Sequence, residues 1–146
     1  AFNTEVSAEI PFGFGVARDN SGVYAARGNG ANLPDATGDK LLGITVHSHS
    51  YSKNPLNLEL GTTGMKPGVL MNVLRFGRIW AICEDGCAPG ASLFVRMTTA
   101  GSGKGSLLAA DPGSSTVVAT TSKIGEWQTT AAATGLAIVT VDFNNA

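Results

Sequence analysis

The chain has 146 residues, a formal net charge of −1 and 14% charged residues, against about 25% in an average soluble domain. That length suits one domain whose hydrophobic core needs neither metal nor disulfide to fold. The scattered, near-neutral charge argues against a nucleic-acid partner, which calls for clustered Lys and Arg, and no apolar stretch approaches the roughly 20 residues of a membrane span.

The opening Ala1-Phe2-Asn3-Thr4-Glu5 carries no positive n-region and no apolar h-region, so no signal peptide is visible. A cytosolic origin is expected, although a secreted chain with its signal already removed would read the same way. Val6, Ala8 and Ile10 alternate with Ser7 and Glu9 before Pro11-Phe12-Gly13-Phe14-Gly15 interrupts. Residues 1–14 are therefore expected as an N-terminal arm, with a single β domain over 15–146. Val23-Tyr24-Ala25-Ala26 suits a short strand, and Gly28 to Asp35 reads as a turn-rich loop.

From Lys40 the pattern sharpens. Leu42, Ile44 and Val46 alternate with Gly43, Thr45, His47 and His49, the period of a half-buried strand. Leu56, Leu58 and Leu60 alternate with Asn57 and Glu59 in the same way. Val69 to Cys83 is apolar on both faces and predicts two strands broken near Phe76-Gly77. Leu93, Val95 and Met97 alternate with Phe94, Arg96 and Thr98, and Gly101-Ser102-Gly103-Lys104-Gly105 predicts a flexible hairpin loop. Strands over Leu107–Ala109, Thr116–Thr120, Ile124–Thr130 and Leu136–Phe143 complete the set. No window keeps helical spacing; Ala131-Ala132-Ala133 is the best helix former and stops at Gly135. Many short strands with Gly and Pro turns predict an all-β fold: a β-sandwich, jelly-roll-like, or a small β-barrel.

Each motif with chemical potential also has a plain structural explanation. The Gly101–Gly105 loop fails as a phosphate loop, because Gly105 follows Lys104 where a hydroxyl must hold Mg²⁺, and no helix follows. His47 and His49 share a strand face, but a metal needs a third ligand and the chain has no other His. Cys83 and Cys87 have no second pair to make a zinc site, and two cysteines make no disulfide framework. Free, partly buried thiols are expected; a bridge requires a turn that brings them together. No Gly-x-Ser-x-Gly elbow or nominated carboxylate pair supports catalysis, so the chain is expected to be no enzyme and to carry no cofactor or metal. Trp80 and Trp127 lie inside apolar strand patterns and are expected in the core. Phe12 and Phe14 flank glycines, where a core role is less natural, and suit an arm that docks on a partner.

Three segments follow one another in the second half: Gly77-Arg78-Ile79-Trp80-Ala81, Pro89-Gly90-Ala91-Ser92-Leu93-Phe94-Val95, and Ala132-Ala133-Thr134-Gly135-Leu136-Ala137-Ile138-Val139. In order and spacing they resemble the tailed-bacteriophage capsid decoration proteins known as structural cement proteins, over about half the chain from Gly77 onward. His47-Ser48-His49 has no counterpart in that resemblance. It implies a non-enzymatic protein, made in the bacterial host cytoplasm, that binds the outer surface of the major capsid protein shell and stabilises the virion. It also implies a homo-oligomer, with trimer ahead of dimer. The segment Phe2 to Phe14 is the expected docking arm, with Phe2, Phe12 and Phe14 as its capsid-binding residues and edge pairing as its mode. The rival readings are a carbohydrate- or receptor-binding β module using Tyr24, Tyr51 or a Trp, and a tail-tube-like subunit.

Overall fold

The computed structural model describes residues 1–5, 8–19, 30–35, 39–47, 64–98, 101–113, 117–118 and 124–145. The expected strands around Val23 and Leu56–Leu60, and His49, Tyr24 and Tyr51, lie outside the described residues. Among the described residues, thirteen strands and a short 3-10 helix at Phe143–Asn145 make the fold all-β. No α-helix forms among the described residues, and Ala131-Ala132-Ala133 instead runs from a bridge into a turn.

The first sheet contains β1 (Phe2–Asn3), β3 (Gly15–Asp19), β4 (Gly30–Asn32), β5 (Leu41–Val46) and β7 (Asn72–Leu74), in the order β1-β4-β3-β5-β7. A separate two-stranded ladder joins β2 (Ile10–Pro11) to β6 (Gly64–Met65). The second sheet runs β11-β9-β10-β8-β13-β12, from β8 (Phe76–Cys83), β9 (Phe94–Arg96), β10 (Leu107–Leu108), β11 (Val117–Val118), β12 (Gly125–Trp127) and β13 (Gly135–Asp142). Its far strand returns to the lead-in of β9: Ser92 bridges Glu126, Leu93 N–H donates to the Gly125 carbonyl at 3.1 Å, and Trp127 N–H donates to the Ala91 carbonyl at 2.8 Å. These bonds curl the sheet into a small barrel, which removes most of its exposed edge.

The barrel interior is filled by alternate residues of its strands. Ala81 and Cys83 of β8, Val95 of β9, Trp127 of β12, and Ala137, Val139 and Val141 of β13 are buried together with Leu93, Leu107, Ile124 and Phe143. Leu41 and Ile44 of β5 enter the same cluster from the first sheet. Leu42 goes the other way, into a second cluster with Ile10, Val16, Ala31, Met65 and Met71. This overturns the expectation that Leu42 and Ile44 share one face. Val16 pairs with Gly43 and Ala17 with Leu41, so Leu42 is an extra residue, and the register slips there; a bulge of this kind breaks the period of two. Leu41 to Thr45 are all buried, so the strand is covered on both sides rather than half-exposed. Thr45 tolerates burial because its hydroxyl donates to the Pro11 carbonyl at 2.6 Å.

A further difference follows from pairing between distant segments. Gly30–Asn32, expected within a loop, is the strand β4: it pairs with β1 on one side and β3 on the other, and Ala31 is fully buried. Within the stretch 1–14, several described residues are tied to later segments of the chain. Asn3 is buried, its N–H donates to the Val69 carbonyl at 2.9 Å, and its amide nitrogen donates to the Met65 carbonyl at 2.9 Å. Ile10 is also fully buried.

Candidate functional site

Among the described residues, a face of the barrel carries a cluster of exposed large apolar side chains. β8 and β13 pair over eight residues, from Phe76↔Asp142 to Cys83↔Gly135. Residues of one parity point inward to the core. The other parity places Phe76, Arg78, Trp80 and Ile82 outward on β8, opposite Asp142, Thr140, Ile138 and Leu136 on β13. Side chains directly opposite in an antiparallel pair stand about 5 Å apart. Trp80, Ile138, Ile82 and Leu136 therefore form one continuous apolar surface, with Phe76 beyond Arg78. Trp80 is 61% exposed, Phe76 69%, Ile82 55% and Leu136 62%. Single exposed apolar residues are ordinary, but a clustered patch of large ones marks a contact surface.

The patch has a polar rim. Arg75 and Arg78 are exposed, and Glu126 and Asp142 are partly exposed. An apolar centre with charged margins is the layout of a protein–protein interface, where aromatic residues are enriched and the charges lie at the edge. The expectation that Trp80 packs in the core is thus corrected, whereas Trp127 is fully buried as expected, with its indole N–H donating to the Leu108 carbonyl at 3.2 Å. The sequence did hold the signal: Arg78 shares parity with Phe76, Trp80 and Ile82, and a charged residue at the centre of a strand face turns that face to solvent.

Beside Ile82 a cleft of about 120 Å³ opens, lined by Phe12, Gly13, Phe14, Ser102, Ser106 and Leu107 together with Ile82 and Glu84. The structure therefore brings two of the three flagged phenylalanines, Phe12 and Phe14, next to the outward face of β8. Both are partly buried. Phe2 stands apart from this cleft, on the first sheet, where it pairs with Gly30 and bridges the exposed Leu70.

The floor of the cleft is a polar knot. Glu84 accepts from Arg96 Nε at 3.0 Å, Arg96 Nη2 at 3.1 Å, the Ser102 N–H at 3.0 Å and the Ser106 hydroxyl at 2.7 Å. Burial pushes the Glu84 carboxyl up, but these hydrogen bonds and the Arg96 charge outweigh it and hold the group below the usual carboxylate value. The Gly101–Gly105 loop thus folds over a carboxylate, and its Ser102 N–H is already occupied by an anion of its own chain. Gly101 takes φ +58°, and any Cβ there would collide with Glu84 Oε1.

His47 is exposed and meets the Phe12 ring edge-on at 4.9 Å. Among the described residues no group of three His, Cys, Asp or Glu is arranged to hold a metal ion, and no helix is long and apolar enough to cross a membrane.

A family model described as structural cement protein (E217 gp24/Pam3 gp6) matches residues 2–142. No curated protein matches the chain.

Proposed function

The chain belongs to the structural cement protein family, and on that footing we propose that it is a non-enzymatic decoration protein that binds the outer surface of the major capsid protein shell and stabilises the virion. Membership supplies a structural role on a phage capsid. The observation that carries the finer reading is the uncovered apolar face of β8 and β13 centred on Trp80. A lone molecule in water gains nothing from exposing Trp80, Ile82, Leu136 and Phe76 together, whereas a partner that buries them gains about 25 cal/mol per Å² of apolar area. Phe12 and Phe14 extend this contact through the cleft beside Ile82, and Phe2 with Leu70 provides a second, smaller point. The protein acts as a small homo-oligomer, trimer before dimer, and many copies on a closed shell add modest interfaces into a large stabilisation through avidity.

Co-sedimentation with expanded capsids stripped of decoration tests this reading. The expected result is saturable binding at a fixed ratio to the major capsid protein, with capsids that survive higher temperature. Absence of binding would overturn it and direct attention to glycans, for which the exposed Trp80 offers a platform. Rings or tubes formed without capsids would instead indicate a tail-tube-like subunit.

A further inference from the structure

Cys83 and Cys87 are four residues apart, which in an extended strand spans about 13 Å. The chain is not extended between them. Cys83 pairs with Gly135 and Cys87 bridges Ala131, so both keep one antiparallel register while Glu84-Asp85-Gly86 arches out against Ala132-Ala133-Thr134. Gly86 takes φ +81° in the arch, where a Cβ would stand 3.0 Å from the Ala131 carbonyl oxygen. The Thr134 N–H closes the facing turn by donating to the Cys83 carbonyl at 2.8 Å.

The arch keeps both cysteine side chains on the same core cluster. The Cys83 thiol donates to Asp85 Oδ1 at 3.3 Å, and Cys87 packs against the core cluster that contains Cys83. The Cys87 thiol donates to the Thr129 carbonyl at 3.2 Å. Asp85 is itself fixed, accepting from the N–H groups of Ala109 and Ala110 at 2.9 and 3.1 Å. Both cysteines are free thiols. The sequence demanded a turn before a bridge could form, and this turn is present.

We propose that Cys83 and Cys87 are a redox-closable pair, whose intramolecular disulfide forms on contact with a small-molecule disulfide and staples the end of the β8–β13 ladder that carries Ile82 and Leu136. Cys83 is fully buried, and burial, with the hydrogen bond to Asp85 next, pushes its thiol up to about 12, whereas Cys87 is partly exposed. Reaction therefore begins at Cys87. Its thiolate attacks one sulfur of the oxidant RSSR, the S–S bond breaks and one RS⁻ departs. Cys83 then loses its proton, attacks the Cys87 sulfur of the mixed disulfide and displaces the second RS⁻. Two protein thiols are oxidised, one small disulfide is reduced to two thiols, and the two protons end on those thiols. A compartment rich in reduced glutathione keeps the pair open, and an oxidising exterior closes it.

The test is incubation of the reduced full-length protein with oxidised glutathione, followed by intact mass, peptide mapping and thermal melting. The expected product is a monomer about 2 Da lighter with a cross-link between Cys83 and Cys87. Its melting temperature should rise by about 4–8 °C and return on reduction with dithiothreitol. Cys87→Ser should show neither change. Two thiols still free after oxidation, a persistent glutathione adduct on Cys87, or disulfide-linked dimers would each overturn the proposal.

Discussion

Arg96 and Glu84 meet fork to fork: the guanidinium Nε and Nη2 reach the two carboxylate oxygens at 3.0 and 3.1 Å. Their side chains are only 10% and 12% exposed, so the pair is shielded from water and salt. It joins the end of β8 to β9, and through Ser102 and Ser106 it also anchors the loop between β9 and β10. Removing one partner strands the other charge in a poorly solvated site. Glu84→Gln keeps the shape but loses the charge, and should cost about 2–4 kcal/mol. The urea midpoint should fall without a change in slope.

The same carboxylate sets a pH dependence. Its folded-state pKa is lowered, so its contribution is fully present above the unfolded carboxylate value of about 4.3 and is lost as pH falls through the folded value. Wild-type stability should therefore decline below about pH 4 more steeply than that of Glu84→Gln. Thermal melts of the two proteins from pH 7 to pH 2.5 check this, and parallel acid limbs would contradict it.

Asn3 ties the N-terminal segment down. Its amide nitrogen donates to the Met65 and Ala8 carbonyls at 2.9 and 3.2 Å, and its Oδ1 accepts from the Glu5 N–H at 2.9 Å. Asn3→Ala leaves these buried groups without partners, an expected loss of about 2–4 kcal/mol. Limited proteolysis should then cut within residues 1–14 sooner than in the wild type. For the same reason, deleting residues 2–14 probes folding as well as docking.

Gly43 and Gly13 separate two reasons for glycine. A Cβ on Gly43 would run into the Leu74 carbonyl oxygen and stand 2.6 Å from Val73 Cγ1, so Gly43→Ala forces β5 and β7 apart. Its cost is expected at about 2–3 kcal/mol. Gly13 has φ +79° but nothing within 4 Å of its would-be Cβ, so Gly13→Ala pays only the backbone term of about 1 kcal/mol. Chemical denaturation of the two variants should rank them in that order.

Much of this fold was legible where pairing is long and regular. β8 and β13 were expected as strands from their apolar runs, and Leu93, Val95 and Met97 are buried as their alternation implies. The slip at Leu42 was not readable, since a bulge depends on β3 as much as on β5. β4 was hidden for a related reason: Gly30-Ala31-Asn32 has weak strand propensity and exists only between β1 and β3. The candidate site was half visible. Phe12 and Phe14 were singled out, and they line the cleft with Ile82. Trp80 was assigned inward because an apolar run on both faces looks like a fully buried strand, and only the parity of Arg78 distinguishes the two.

The two tryptophans now give paired controls for the proposed docking face. Trp80 is 61% exposed and Trp127 is 0% exposed. Trp80→Ser combined with Leu136→Ser should leave stability within about 1 kcal/mol of wild type, because exposed positions contribute little to folding. Capsid affinity should nevertheless fall by about 30-fold or more, as expected when an interface aromatic worth at least 2 kcal/mol is truncated. Trp127→Leu should do the reverse: a loss of about 3 kcal/mol in folding from the cavity and the orphaned Leu108 carbonyl, with near-normal binding by the molecules that remain folded. Fluorescence offers an independent readout, since Trp80 is the one of the pair open to iodide quenching, and capsid binding should protect it and shift its emission to the blue. Equal affinity of the double variant and wild type, with Trp80 still quenchable on the shell, would move the contact to another surface.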